Sequence, residues 1–204
     1  MVYHSNSKIL YILIYVDDIL LIDNDQVTLD SLLTSLKSKF SMRHLGCLSH
    51  FLGVQVSTSP YGLHLNQTQH AQTILHKAGM ENSKSVSTPS RPKSAADSIN
   101  QPHFSVPVLY QQLAGSLQYL TLTRPNIAFA VQQVCQHMHT PLQTHFKQLK
   151  RLLWYVNGTL TYGLPLYRGS MDLHGYVDSD WAGDSQDRKS VSGYCNFLGN
   201  SLIS

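Results

Sequence analysis

The stretch ILYILIYVDDILLI, residues 9–22, places two adjacent carboxylates, Asp17 and Asp18, inside an otherwise apolar run. Aspartate is depleted in strands, and an ionised carboxylate taken out of water is costly unless it is paired or coordinates a metal. The β-branched and aromatic flanks, 9–14 and 19–22, predict two strands. A hairpin of these strands puts both aspartates at its tip, where a divalent cation would offset their charge. That arrangement suits a metal-dependent phosphoryl or nucleotidyl transferase.

An isolated pair of aspartates also fits a solvated turn that has no function. Tight two-residue hairpin turns favour Asn-Gly or Asp-Gly, because both central positions adopt positive φ. No glycine stands between the two predicted strands. The composition of the turn therefore argues against a turn chosen only for folding, and the rest of the chain must decide.

Five more segments accompany the YVDD motif of residues 15–18, in a consistent order and spacing. They are FLGV (51–54), GSLQYLTLTRP (115–125), DSDWAG (178–183), SGYC (192–195) and FLG (197–199). Together these segments resemble the reverse transcriptases of copia-type long-terminal-repeat retrotransposons, and the likeness covers nearly the whole chain. The sequence departs from the family at Asn126, where an aspartate is usual.

The resemblance implies RNA-directed DNA synthesis by two-metal nucleotidyl transfer. In such an enzyme Asp17 and Asp18 bind the catalytic magnesium ions, while Tyr15 and Val16 line the primer terminus. The implied partners are an RNA template, a DNA primer and the remainder of a Pol polyprotein. The other palm aspartate of the family is expected before Met1, so we expect the isolated chain to be inactive.

Helical and strand periodicities alternate along the chain, which predicts an α/β (α+β) fold. Apolar residues at helical spacing predict five helices, with stripes at 29–40, 71–78, 109–120, 127–138 and 149–156. With the resemblance, the pattern predicts the C-terminal part of a polymerase palm with its catalytic hairpin and a primer-grip-like hairpin (1–80), a linker (81–107), a helical thumb and connection (108–158), and a truncated ribonuclease H-like sheet (159–204).

Two shorter patterns belong to the first predicted segment. Asn24 or Asp25 can cap the first helix. Residues 51–57 alternate as a strand, 60–62 form a turn, and 63–65 return as its partner. In the family this second hairpin resembles the primer grip, which holds the primer backbone near the metals.

The last predicted helix carries Lys147, Lys150, Arg151 and Trp154 on the face opposite its leucines. Three cations and an aromatic ring on one face can bind the phosphates of a nucleic acid. The alternative is a solvated helix face on which Trp154 packs under a long cationic side chain. The sequence leaves both interpretations open.

Asp178 ends an apolar strand and resembles the first metal-binding carboxylate of the ribonuclease H fold. The segment that supplies the second carboxylate is expected after Ser204. Asp180 is interpreted as a turn residue. A calcium loop of Asp178, Asp180 and Asp184 is disfavoured, because its twelfth position is Lys189 and not glutamate.

Composition sets wider limits on the protein. Its 204 residues are 42% hydrophobic and 13% charged, which is typical of a globular chain, and a formal charge of +3 does not by itself indicate nucleic-acid binding. Three widely spaced cysteines suggest a reducing compartment and ordinary thiols. The alternating Cys135, His137 and His139 fit a surface cluster better than a zinc site.

No membrane segment or signal peptide is predicted, because Asp17 and Asp18 interrupt the apolar N-terminal run well before the roughly 20 residues that a spanning helix needs. We therefore expect an intracellular protein of the cytoplasm or nucleus, with an organelle left open. Two alternatives to a polymerase fragment also remain: a non-catalytic nucleic-acid-binding or assembly module, and an inert remnant of a decayed element.

Overall fold

The computed structural model describes residues 2–5, 8–91, 102–182, 188 and 190–204. Its chain divides into two compact units, Met1–Val56 and Ser57–Ser204. Both units combine strands with α-helices, and the strand pairs are antiparallel, which confirms the predicted mixed α/β class. The finer division into palm, thumb and ribonuclease H segments stays a prediction.

The first unit is built on a three-stranded sheet of order β1-β2-β3, with strands Val2–Ser5, Lys8–Tyr15 and Asp18–Asp23. Helix α1, Gln26–Lys39, follows directly and lies against β3. Asp25 is the N-cap residue of α1, as predicted, and its Oδ2 accepts a hydrogen bond from the Thr28 hydroxyl at 2.6 Å. The predicted strand–turn–strand–helix order is confirmed.

The predicted strand 51–57 is wrong at its start. The structure has a short strand β4, His50–Phe51, and a second strand β5, Val54–Ser59, with Phe51 paired to Val54. Between them Leu52 and Gly53 have φ of 49° and 72°. Two successive positive φ values are typical of the tight turns that reverse a strand, so the alternating pattern is divided between two strands.

The second unit begins with the end of β5, which turns through Pro60 and Tyr61 into β6, Gly62–Asn66. A Cβ at Gly62 would collide with the carbonyl oxygen of Leu166, and φ at this residue is +150°, so the close pairing of β6 with β7 requires glycine. Strand β7 is Leu164–Tyr167. The segment predicted to start a new domain thus pairs with an earlier strand.

Four helices form the core of the second unit: α2 Thr68–Lys77, α3 Pro107–Leu120, α4 Ala128–Cys135 and α5 Gln143–Asn157. The buried residues match the apolar stripes predicted from sequence. Fully buried leucines of α3 and α5 lie at its centre, and each contributes about 1.5–3 kcal/mol through burial. They are Leu113, Leu117, Leu149, Leu152 and Leu153.

A second sheet in this unit has the order β10-β9-β8, with strands Leu173–Ser179, Ser192–Leu198 and Ser201–Leu202 for β8, β9 and β10. All three strands lie within residues 159–204, the segment for which a sheet is predicted. Every residue of β8 is exposed, whereas Ser201 of β10 is buried and its hydroxyl accepts the N–H of Tyr167 at 2.7 Å. Strand β10 therefore attaches this sheet to β7.

Part of the predicted linker lies against α5. The side-chain amide of Asn157 donates to the carbonyl of Ser83 at 2.8 Å, and Phe104 stacks on Phe146 with ring centroids 4.0 Å apart. Residues 92–101, in the middle of the linker, are outside the part of the chain that the structure describes. Both described ends of the linker are thus tied to the last helix.

Arg124 is the largest fully buried side chain of the second unit and is only 1% exposed. Its guanidinium donates to the carbonyl and hydroxyl of Thr159, each at 2.8 Å, and to Oδ1 of Asn126 at 3.1 Å. Burial lowers its pKa, an effect partly offset by Tyr155 and Tyr162. Asn126 thus supplies a neutral hydrogen-bond acceptor to the buried guanidinium.

No helix in the described part of the chain combines the length and the apolar character that crossing a membrane requires.

The start of α5 depends on a neutral histidine. Nδ1 of His145 accepts the N–H of Leu142 at 3.1 Å, and its ring stacks on His137 with centroids 3.6 Å apart. Burial, with a smaller contribution from His137, lowers the pKa of His145 from 6.5 to about 4. Protonation would add charge beside His137 and remove the acceptor that the helix terminus needs.

We predict that acid destabilises the protein through His145. The unfolded chain takes up a proton near pH 6.5 and the folded chain only near pH 4. This contribution to stability is therefore complete above pH 6.5 and is lost as the pH falls toward 4. Urea denaturation at a series of pH values should show a decline that is reduced in His145→Gln, because glutamine can cap without titrating.

His139→Gln is the matched control, since His139 is exposed and near α5 in sequence. Its stability should follow the pH dependence of the unchanged protein. An identical acid decline in the His145 and His139 variants would contradict the assignment.

Candidate catalytic hairpin and nucleic-acid-binding helix

The register of β2 and β3 places the two aspartates at the hairpin tip. The pairing runs from Leu10 opposite Asp23 to Tyr15 opposite Asp18, which leaves only Val16 and Asp17 to connect the strands. This is the position predicted from the flanking apolar runs. Asp17 lies in the turn itself, and Asp18 is the first residue of β3.

The turn is strained at Val16. Its φ is +50° and its side chain is 82% exposed. A β-branched residue in the left-handed region is an outlier, and such conformations cost of order 1–3 kcal/mol and cluster at functional sites. Neither burial of the side chain nor a glycine at this position offsets the cost. Folding alone does not explain the choice of valine here.

Asp17 and Asp18 are both exposed. Neither carboxylate has a hydrogen-bond or ion-pair partner among the residues that the structure describes. Free carboxylate oxygens next to water are the ligands that Mg²⁺ prefers, since this ion usually keeps several waters and takes one or two carboxylates. The donor set therefore fits magnesium.

The tip of the hairpin supplies two carboxylates, those of Asp17 and Asp18, because Asp23 lies at the other end of β3. In the described ranges, no group of three or more His, Cys, Asp or Glu side chains could hold a metal ion. Two-metal catalysis positions both the attacking and the leaving oxygen, which needs a larger ligand set than one pair of neighbours provides.

The four residues of α5 that were predicted to bind phosphates differ in their exposure and in their contacts. Lys147 is exposed, whereas Nζ of Lys150 lies 5.7 Å from the ring centroid of Trp154. Arg151 donates from Nη2 to the hydroxyl of Thr88 at 2.7 Å. Trp154 is half-buried against the helical core. Trp154 under Lys150 is the packing that the alternative interpretation describes, and phosphate binding by this face stays a prediction.

Asp178 lies in β8 opposite Gly193, with an exposed side chain that accepts the N–H of Ser179. The carboxylate of Asp180 accepts the N–H of Val191 at 2.6 Å, which fits its interpretation as a turn residue. Asp184 and Lys189, the other members of the disfavoured calcium loop, lie outside the described residues. A metal-binding role for Asp178 stays a prediction.

Sequence reasoning missed a cavity of about 460 Å³ in the second unit. Its aromatic lining comes from α5, the segment after it, β7 and β9, at Tyr155, Tyr162, Tyr167 and Phe197. These rings share no spacing along the chain. No signal in the sequence points to the cluster, because the helix and the sheet strands bring it together.

Residues 1–92 match the family described as reverse transcriptase (RNA-dependent DNA polymerase). An uncharacterized mitochondrial protein of Arabidopsis thaliana is 45% identical over 196 residues, which cover 96% of this chain and 81% of that protein. The retrovirus-related Pol polyprotein from transposon RE1 of the same plant is 39% identical over all 204 residues. That from transposon TNT 1-94 of Nicotiana tabacum is 32% identical over 98% of this chain.

The chain belongs to the copia-type reverse transcriptase family. It spans 14% of the RE1 polyprotein and 16% of the TNT 1-94 polyprotein. No solved structure matches it. The β2–β3 hairpin of this reverse transcriptase segment lies inside the matched residues 1–92, whereas α5 and Asp178 lie beyond them.

We predict that Val16→Gly stabilises the hairpin of this reverse transcriptase segment. Glycine adopts φ of +50° without the steric cost of a β-branched side chain, and an 82% exposed valine loses little burial. The relief exceeds the roughly 0.5–1 kcal/mol that glycine costs through the unfolded chain. Hydrogen exchange of the β2 and β3 amides should slow in the variant.

Val16→Ala is the control, because alanine also has a Cβ and keeps most of the strain. Its amides should exchange at close to the unchanged rate. Faster exchange in Val16→Gly than in the unchanged protein would show that Val16 is not strained.

Proposed function

We propose that this chain supplies the metal-binding palm hairpin of an RNA-directed DNA polymerase within a longer Pol polyprotein. The observation that carries the proposal is the tip of β2–β3. Two adjacent exposed carboxylates, Asp17 and Asp18, follow a strained Val16 within the residues matched by the reverse transcriptase family. The partners are an RNA template, a DNA primer and the rest of the polyprotein.

In this proposal Asp17 and Asp18 hold magnesium, which when bound supplies Lewis-acid activation of the primer hydroxyl and charge stabilisation of the leaving pyrophosphate. The chain itself orients the carboxylates. Six paired positions of β2 and β3 fix the hairpin, so both side chains are presented from a defined point. Tyr15 and Val16 are 59% and 82% exposed and offer an apolar surface to the primer terminus.

The remaining segments take supporting roles in the same proposal. The β5–β6 hairpin positions the primer backbone, and α5 contacts phosphates as part of a thumb and connection. Asp178 is the first carboxylate of a ribonuclease H-like segment, which needs further carboxylates to hold a metal firmly.

We predict that Mn²⁺, as a paramagnetic substitute for Mg²⁺, broadens the amide resonances of residues 15–19. We also predict that the isolated chain does not extend a primer. Two carboxylates bind a divalent ion weakly, but they cannot form a two-metal site alone. Nuclear magnetic resonance measures the broadening. Incubation with template-primer, deoxynucleotides and magnesium measures extension.

The paired change of Asp17→Asn and Asp18→Asn should remove the broadening. Asp30→Asn is the matched control, because Asp30 is an exposed acid of α1 in the same unit. Broadening that survives the paired change would exclude the hairpin as a metal site. Extension that disappears in the paired variant would instead show that the isolated chain carries a complete catalytic site.

A second candidate function, binding of nucleic acid without catalysis, is favoured by the cations of α5. Lys147 is exposed, and Lys150 follows on the same side of the helix. Each phosphate contact should steepen the decline of log affinity with log salt by about 0.9 on duplex nucleic acid. Arg151 already donates a hydrogen bond to Thr88, so it is expected to contact a phosphate only if that hydrogen bond breaks.

We predict that Lys147→Gln with Lys150→Gln weakens binding to an RNA–DNA hybrid and flattens the salt slope by about two units. Adding Arg151→Gln should flatten it by about three units in total if all three contact phosphates. Fluorescence anisotropy over a range of salt concentrations measures the slope. Lys37→Gln with Lys39→Gln, exposed lysines of α1, removes the same charge as a control. Equal slopes for the two double variants would favour the solvated-face alternative.

A further inference from the structure

The cavity of about 460 Å³ in the second unit has the size of a small-molecule or cofactor site. It is bounded by the end of α5, the segment that follows, β7, and the β9–β10 hairpin. Its lining includes four aromatic rings and two side-chain amides: Tyr155, Tyr162, Tyr167, Phe197, Asn126 and Asn200.

Buried Arg124 fixes two of these rings from behind. Its guanidinium carbon lies 5.9 Å from the ring centroid of Tyr155 and 5.4 Å from that of Tyr162. Asn126 donates from Nδ2 to the hydroxyl of Tyr155 at 2.8 Å. Such cation–π and hydrogen-bond contacts hold aromatic side chains in place, so the cavity wall is ordered before any ligand arrives.

Packing in the helical core does not account for the positions of Tyr162 and Tyr167. Tyr162 and Tyr167 are 56% and 51% exposed, and the helical core does not include them. Their hydroxyls, and the side-chain amide of Asn200, have no hydrogen-bond partner among the described residues. The cavity therefore offers flat π-faces together with solvent-facing donors and acceptors at its rim.

A nucleobase has the matching chemistry, because it presents a π-face for stacking and an edge of hydrogen-bond donors and acceptors. An aliphatic ligand would make no hydrogen bond to the hydroxyls or the amide. The sheet beside the cavity adds a second observation. His174 stacks on Phe197 with centroids 5.4 Å apart, and Tyr176 meets Phe197 edge-on at 6.0 Å.

These rings extend the aromatic surface beyond the cavity, since Phe197 belongs to both. His174 and Phe197 are directly opposite on β8 and β9, and Tyr176 is two residues from His174, so the three share one sheet face. A free nucleotide would fill the cavity alone, whereas a strand would also use the adjoining face. We propose that the cavity binds one unpaired base of a single-stranded nucleic acid, with the following base stacked on the His174–Phe197–Tyr176 surface.

This inference does not depend on the proposed polymerase function, because it requires neither a metal nor Asp17 and Asp18. The test measures fluorescence anisotropy of a labelled oligoadenylate RNA in the presence of a metal chelator. Tyr162→Leu and Tyr167→Leu should each weaken binding about tenfold, which is the usual effect of removing one stacking ring. Tyr162→Phe and Tyr167→Phe keep the ring and should bind nearly as well as the unchanged protein.

Phe129→Leu is the matched control, since Phe129 is 60% exposed in the same unit and does not line the cavity. Its affinity should be unchanged. Leucine variants at Tyr162 and Tyr167 that bind like Phe129→Leu would overturn the proposal. If adenosine monophosphate bound as tightly as the oligonucleotide, the assignment to a strand would be wrong.

Tyr162→Leu also removes a contact of buried Arg124, so its thermal unfolding must be compared with that of the unchanged protein. If this variant does not fold, Tyr167→Leu and photocrosslinking decide the question. RNA containing bromouridine should crosslink to Tyr155, Tyr162, Tyr167 or Phe197, as mapped by mass spectrometry. Crosslinks confined to Lys147 and Lys150 would overturn the cavity as the binding site.

Discussion

Burial of the Arg124 guanidinium constrains how the segments of the second unit pack against one another. A charged group removed from water is costly unless its donors are satisfied, and in the described residues no carboxylate pairs with this one. Neutral oxygen atoms accept its hydrogen bonds instead. The carbonyl and hydroxyl of Thr159 and the amide of Asn126 accept from the three nitrogens, which ties the α3–α4 junction to the end of α5. Either segment, if displaced, would leave a buried cation without acceptors.

The same constraint reaches the cavity, because Tyr155 and Tyr162 lie over the buried guanidinium. Rings held by a cation lose little freedom when a ligand stacks on them. In the first unit the balance is different. There the β2–β3 hairpin combines a strained Val16 with two exposed carboxylates. The two proposed sites therefore differ in kind, one electrostatic and one aromatic.

Sequence reasoning succeeded where contacts are local or periodic. The stripes of α2 to α5 became the buried core, since a helix that packs on others must place apolar residues every three or four positions. The stripe predicted at 29–40 did not, because α1 has no buried residue. It failed at Leu52, where alternation continues through a turn that only the backbone conformation reveals. It also left the face of α5 undecided. Whether Arg151 is free for a phosphate depends on Thr88, which is 63 residues away in the chain.

The sequence by itself determined the β2–β3 hairpin with Asp17 and Asp18 at its tip, and the family. Strand pairing across a two-residue turn is a short-range event, so the position of Asp17 and Asp18 follows from the residues that flank them. Tertiary structure alone decided the burial of Arg124 and the aromatic cavity beside it. Thr159 is 35 residues from Arg124, and the cavity rings come from a helix, a loop and two strands. Such contacts form only when distant segments share a core, and no periodicity along the chain records them.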